Sequence, residues 1–428
     1  MTIDALQLAP MQQPFLNSFF LARQPILNRD QRLVAYELLF RNTHCGGADV
    51  TDDAAATATV IAHASDLGME QVVGQQLAYI NVDTVALMSD FIRFLPNSKV
   101  ILEILETVKA TPEVLARVRE LKLAGFKFAL DDVVAVSEDV QKLAPLVDVI
   151  KVDIQHMQAD ALGALTLLLG TSRNKLLAEK VETLEQFEQC LILGFEFFQG
   201  YYFARPVILS GKKIAPSELA ILHVLDLINA DADDDEIERC IKHDALISLN
   251  LLRLVNTPAV GARVRIDTLR QALMVLGRRQ LQRWLQILLY VKPGTAQQYT
   301  SPLLQLATTR GKLLELMMEK LRPGRRKCAD VGFTVGIMSL MDALFSMRMS
   351  DVVGSAQVQS EVRDALLFRQ GDYGSMLSLV ERIEGAECGP ELVNMLAALH
   401  LSAADLNTIQ ITAFEWVHEY IQGVSTTH

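Results

Sequence analysis

Cysteine is scarce in this chain. The 428 residues carry five, at Cys45, Cys190, Cys240, Cys328 and Cys388, far apart and never in Cys-x-x-Cys spacing, which excludes a disulfide framework and a thiolate zinc site and leaves reduced core or surface thiols. Long apolar runs are also missing. None reaches the roughly 18 uninterrupted residues of a membrane helix, and the start lacks a basic region followed by an apolar stretch and a small-residue cleavage site. A cytoplasmic protein without a membrane partner is expected. Positive charge is in deficit, 40 Lys and Arg against 51 Asp and Glu for a net charge of −11. That balance disfavours general nucleic-acid binding, which is mostly phosphate neutralisation. The basic clusters Arg278-Arg279 and Arg322 to Lys327 read as solvated helix ends or turns.

What is present is apolar sequence in regular pieces. Half the residues are hydrophobic, and the length suggests two or three domains. Residues 1–18, with Pro10 and Pro14, read as a flexible lead-in. Eight strand-like runs then follow: Phe19 to Leu27, Val34 to Phe40, Leu77 to Val82, Val100 to Leu105, Lys127 to Leu130, Val147 to Val152, Leu176 to Ala178 and Glu196 to Gln199. Between them lie segments with helical apolar spacing, such as Ala54 to Leu67, Pro112 to Ala124 and Leu184 to Leu193. Strand and helix repeated over about 190 residues is the pattern of an α/β TIM-like barrel, here over 19–206. After a linker at 207–216 the character changes. From Ser217 onward amphipathic segments succeed one another without a convincing strand, so 217–428 is expected to be all-helical.

In such a barrel the working groups project from the carboxyl ends of the strands. Those ends carry Glu37, Asn81, Glu103, Asp131 with Asp132, Lys151, Glu179 and Gln199. Asp131-Asp132 alone would read as a turn or helix cap; the company of the other acids makes it part of a site. Carboxylates and an amide without His or Cys suit Mg or Mn rather than zinc. With a lysine added, the set suits phosphate chemistry, in which two divalent ions about 3.5–4 Å apart activate a water and neutralise a leaving oxygen. Asp153, two residues after Lys151 on the same strand face, is expected either to pair with it or to join the chemistry.

The motifs carry a resemblance. Gln24-Pro25-Ile26, Tyr36-Glu37-Leu38-Leu39-Phe40-Arg41, Ile80-Asn81-Val82, Leu102-Glu103-Ile104-Leu105-Glu106, Ala129-Leu130-Asp131-Asp132, Ile150-Lys151-Val152-Asp153, Ala178-Glu179-Lys180-Val181-Glu182 and Phe198-Gln199-Gly200-Tyr201, with Pro206, together resemble the EAL phosphodiesterase domain. The resemblance implies a barrel that binds cyclic di-GMP and, when intact, linearises it with two divalent ions. It assigns Glu37, Asn81, Glu103 and Asp131 to one metal, and Asp131, Asp132 and Glu179 to the second metal and its water. Lys151 falls beside the attacked phosphate, Gln24, Arg41 and Gln199 on the nucleotide, and Glu106 where a glutamate steadies the loop after the aspartate pair.

Three departures from the family pattern stand out. Glu-Ala-Leu reads Glu37-Leu38-Leu39, which keeps the glutamate. Lys180 replaces the glycine of Glu-Gly-Val-Glu. The Phe-Gly-Thr-Gly that follows the aspartates reads Val133-Val134-Ala135-Val136, where the loss of two glycines removes φ freedom from the loop. This loop would normally align the second metal and support pairing of barrels.

The helical half resembles the HDOD domain, an HD-superfamily fold without the catalytic machinery, in Ile241 to Leu246, Leu251 to Asn256, Ile266 to Gly277 and Phe333 to Met338. His243-Asp244 lacks the further ligands of a phosphohydrolase and reads as structural or capping. The resemblance implies a cyclic di-GMP signalling protein with a degenerate EAL domain that binds nucleotide or metal weakly or without turnover. Its HDOD half would contact a protein partner; the alternative is an active phosphodiesterase. The oligomeric state is left open, a dimer being one candidate.

Overall fold

The computed structural model describes residues 19–42, 69–169, 173–200, 216–256, 266–290, 301–345, 347–355, 358–385 and 390–425. The lead-in, the helix over Ala54 to Leu67, most of the 207–216 junction, Cys45 and Cys388 lie outside them. Cys190, Cys240 and Cys328 are free thiols.

The first half is a closed eight-stranded barrel in sequential order. Its strands are β1 (Phe19–Asn28), β2 (Leu33–Asn42), β3 (Leu77–Val82), β4 (Val100–Ile104), β5 (Lys127–Leu130), β6 (Val149–Asp153), β7 (Lys175–Glu179) and β8 (Phe197–Phe198). Among the described residues six α-helices accompany them: α1 (Met69–Val73), α2 (Thr84–Met88), α3 (Pro112–Leu123), α4 (Glu138–Leu143), α5 (Ala159–Leu169) and α6 (Leu184–Ile192). Four carry the caps that their sequence predicts, with Asp83, Thr111, Ser137 and Thr183 accepting from backbone N–H groups, Thr183 in a capping box with Gln186.

One strand is reversed. β1 runs antiparallel to both β2 and β8, while the remaining neighbours are parallel. The short connection forces this, because a parallel crossover needs a dozen or more residues. Asn28 holds the turn, its side-chain oxygen accepting from the N–H groups of Asp30 (3.0 Å) and Arg32 (2.9 Å). β2 also runs on to Asn42, so Glu37 lies inside the strand rather than at its end.

Strand alternation then sets the site. A floor of Ile26, Ala35, Tyr79, Ile101, Ala129, Val149 and Leu177, with Phe197, closes the barrel interior. Side chains two residues along a strand share a face. The next inward layer is therefore Gln24 on the reversed β1 and Glu37, Asn81, Glu103, Asp131, Lys151, Glu179 and Gln199 on the others. Outward-facing Ile80, Leu102, Leu130, Ile150 and Ala178 join the helices in a second apolar core.

The second half is helical: α7 (Pro216–Asn229), α8 (Asp234–Lys242), α9 (Ala245–Val255), α10 (Leu269–Leu288), α11 (Pro302–Leu321), α12 (Arg326–Met338), α13 (Met341–Phe345), α14 (Met349–Ser355), α15 (Ser360–Phe368), α16 (Gly371–Glu384), α17 (Pro390–Ala398) and α18 (Ala403–Ser425). α11 and α12 pack backbone to backbone, since a β-carbon on Gly336 would lie 2.4 Å from the Gly311 nitrogen. Arg326–Phe345 has the length and apolarity of a membrane span, but most of its apolar window is buried inside the fold. Asp244 caps α9, accepting from the N–H of Ile247 at 3.0 Å. The basic clusters are engaged in ion pairs: Arg278 with Asp231 and Asp234, Arg279 with Asp330, and Arg322 with Asp372.

The halves meet along the β1–β2 ribbon. Ala22 belongs to the helical core, and Phe414 of α18 to the barrel's. The Arg23 guanidinium lies 3.5 Å from the Phe414 ring centroid and 4.4 Å from that of Tyr36, and donates to the Val72 carbonyl at 2.7 Å. The Tyr36 hydroxyl donates to Gln305 at 2.7 Å, and the Gln410 amide to the Leu21 carbonyl at 2.7 Å. Burial lowers the pKa of Arg23 and raises that of Tyr36.

Candidate functional site

Lys151 is the centre of the polar layer. It is 0% exposed, and its ammonium touches four carboxylates: Glu37 at 3.3 Å, Asp131 at 3.0 Å, Glu179 at 2.8 Å and Glu103 in a shorter contact. A buried ammonium is stable only when paired. Here the imbalance runs the other way, with four acids around one base.

The surroundings distribute that negative charge unevenly. Glu37 accepts from Gln199 (2.7 Å), Asn81 (3.3 Å) and Lys151. Burial opposes its ionisation, but Lys151 and these hydrogen bonds outweigh it and hold the carboxyl below its ordinary value. Asp131 goes the opposite way. Burial first, then the charges of Glu179, Glu37, Asp132 and Glu106, push it up to about 9. Glu179 is also raised, because burial and the charges of Glu37 and Asp132 outweigh Lys151. At neutral pH the cation-free Asp131 therefore retains a proton that a divalent ion would displace.

Two sets of oxygens have cation geometry. Those of Glu37, Glu103 and Glu179 lie within 4.8 Å of one another in the buried layer; those of Glu106, Asp131 and Asp132 do so nearer solvent. Asn81 Oδ1, Glu103 Oε2, Glu179 Oε2 and Gln199 Oε1 are buried without a hydrogen-bond partner. Buried oxygens of this kind call for a ligand, and an all-oxygen set fits Mg, Mn or Ca better than zinc.

Gln24 joins the layer by accepting from Gln199 at 2.8 Å. Gly200 follows in a tight passage, where a β-carbon would lie 2.3 Å from the nitrogen and oxygen of Val181. The structure thus brings together Gln24, Glu37, Asn81, Glu103, Asp131, Lys151, Glu179 and Gln199. Asp132 and the exposed Glu106 form the rim. The side chain of Arg41 lies outside the described residues.

Past the aspartates the loop needs no glycine. Asp132 takes the positive φ (46°), and none of Val133 to Val136 does. Val133 is buried, and its N–H donates to the Lys151 carbonyl at 2.9 Å; Val134 is 61% exposed. Asp153 does not pair with Lys151. Its carboxylate contacts Lys180 instead, because Lys151 is already surrounded by four acids. Lys180 also reaches Asp132 at 3.5 Å. The sequence flagged Lys180 as a bulky cation near the site but gave no sign of this pairing, which depends on the ends of β6 and β7 coming together. It equally left Arg23 unremarked, although a charge inside the apolar run of β1 was a visible signal.

Comparison with known proteins places this geometry. The EAL domain model matches residues 10–206 and the HDOD domain model residues 218–300. The uncharacterized protein YuxH of Bacillus subtilis is 30% identical over 414 residues, spanning 94% of this chain and 99% of YuxH. The cyclic di-GMP phosphodiesterase CdgJ of Vibrio cholerae is 30% identical over 384 residues, 88% of each chain. Among solved structures, the EAL-domain protein YkuI of Bacillus subtilis, in complex with cyclic di-GMP and calcium, matches at 19% identity with a TM-score of 0.38, covering 61% of this chain and 71% of that one. The relatives matched nearly end to end, and the two domain models in tandem, make this chain a member of the EAL family, with an HDOD domain after its barrel.

Proposed function

We propose that this is a cytoplasmic cyclic di-GMP signalling protein. Its barrel (19–206) binds the dinucleotide together with divalent cations and turns it over slowly or not at all, and its helical half (217–428) contacts a protein partner. The observation that supports it is the polar layer, where four carboxylates, three amides and a single ammonium leave several oxygens unpartnered. Glu37, Asn81, Glu103 and Asp131 would hold one cation, and Asp131, Asp132 and Glu179 a second. Such ions supply Lewis acidity toward a phosphodiester and an acidified water. The chain's own groups do the rest. Lys151 offers its ammonium to phosphate oxygens, Gln199 holds Glu37 in orientation, Gln24 and Gln199 face the nucleotide, and Arg41 takes the nucleotide-contacting role that its motif position implies. Glu106 supports the loop after Asp132, a loop built here of Val133 to Val136 instead of glycines.

The alternative is an active phosphodiesterase, favoured by the convergence of the whole polar layer and by the activity named for CdgJ. Calorimetry of cyclic di-GMP binding in Ca²⁺, beside a turnover assay in Mg²⁺ and Mn²⁺, separates the readings. Binding that Glu37→Ala abolishes, with little linear product, supports the proposal. Rapid linearisation abolished by the same substitution supports the alternative, and no binding at all defeats both.

A further inference from the structure

Lys180 is an uncomfortable residue in a purposeful place. It directly follows Glu179, and its φ of 57° lies in the left-handed region that side-chain-bearing residues avoid. Asp132, facing it, is also left-handed at φ 46°. The two backbones bring together a cation and a carboxylate, with the Lys180 ammonium 3.5 Å from Asp132 and in closer contact with Asp153. Lys151 touches every member of the buried cluster and also Asp131 of the outer one, whereas Asp132 is reached by Lys180. Lys151 lies inside the buried one, and Lys180 lies at the rim of the outer one formed by Glu106, Asp131 and Asp132.

We infer that Lys180 is a tethered counter-cation of the outer cluster, competing with a divalent, oxygen-preferring ion for Asp132 and so lowering the affinity of that position. The inference rests on the metal-binding reading above and deepens it. Three features set the strength of the competition. Lys180 is half-exposed, so water screens it. Its ammonium is held more closely by Asp153 than by Asp132, so the competition weakens binding and does not forbid it. A single charge and a double charge about 4–5 Å apart still repel enough in water to reduce affinity by roughly tenfold or more. Lys180 does not reach the buried cluster, whose own ammonium is Lys151, in contact with Glu37, Glu103 and Glu179.

The test counts Mn²⁺ on the full chain by electron paramagnetic resonance of the free ion, independently of nucleotide turnover. Wild type is expected to show one tighter and one weaker class of site. Lys180→Met, which removes the charge but keeps a side chain at the strained position, is expected to tighten the weaker class by roughly tenfold and leave the tighter one unchanged. Lys180→Arg should keep the wild-type isotherm, and Asp132→Asn added to Lys180→Met should abolish the gain. An unchanged isotherm in Lys180→Met, or an equal shift of both classes, overturns the inference while leaving the nucleotide-binding reading intact. Absence of Mn²⁺ binding in every form overturns the inference and the metal-dependent reading together.

Discussion

Replacing Lys151 by methionine removes, among the described residues, the one ammonium that touches three buried carboxylates and the partly buried Asp131, while nearly preserving volume. Taking one partner from a buried ionic cluster costs about 3–5 kcal/mol. Protonation of Asp131 and Glu179, both already raised, offsets part of this, so about 3 kcal/mol at pH 8 is the expected loss. For a folding unit of the barrel's size, that lowers the melting temperature by about 6–12 °C. Thermal unfolding followed by circular dichroism in EDTA measures it. Adding Mn²⁺ should then stabilise the variant more than the wild type, because the ion supplies the missing charge; at 100 times its dissociation constant it contributes about 2.7 kcal/mol. Lowering the pH toward 5 should narrow the gap, as the carboxyls take up protons. A variant that melts at the wild-type temperature in EDTA at pH 8 would refute the electrostatic account of the site.

Two further outcomes follow from the same geometry. Asp131 is raised to about 9 when folded, whereas unfolded it titrates near 4. Between these values the native state binds the extra proton, so its contribution is complete below about pH 4 and is lost as pH rises toward 9. Cation-free wild type should therefore lose stability across that range, and Asp131→Asn should flatten the dependence in denaturant titrations. Gly200→Ala, whose β-carbon would meet the Val181 backbone at 2.3 Å, should cost about 2–4 kcal/mol in chemical unfolding and weaken nucleotide binding by displacing the neighbouring Gln199.

The barrel was readable because strand and helix alternate with sharp boundaries, and because polar residues recur at one end of otherwise apolar strands. The strand-end acids, Asn81 and Lys151 could be named from that pattern and from the motif spacing. The direction of β1 could not be read from its pattern, since a two-residue period looks the same in either sense. The short connection between β1 and β2 held that information and was not used. With β1 reversed, Gln24 supplies the eighth strand's contribution to the layer. Lys180's partners were hidden for a different reason: they lie on other strands, and sequence spacing carries no distance across a barrel. The same holds for Arg23, whose aromatic neighbours come from β2 and from a helix nearly 400 residues further on.

The β1–β2 ribbon faces two ways. Gln24 and Glu37 are register partners on the inner side, and their chain neighbours Arg23 and Tyr36 are gripped by α18 and by Gln305 on the outer side. The candidate ligand layer and the helical half are thus separated by the thickness of one pleated sheet. A cation drawing in Glu37 pulls on the same backbone that carries Tyr36. A partner that shifted α18 and thereby changed ligand affinity would have its own affinity changed by the ligand by the same factor. The ribbon is where two binding equilibria share one mechanical element.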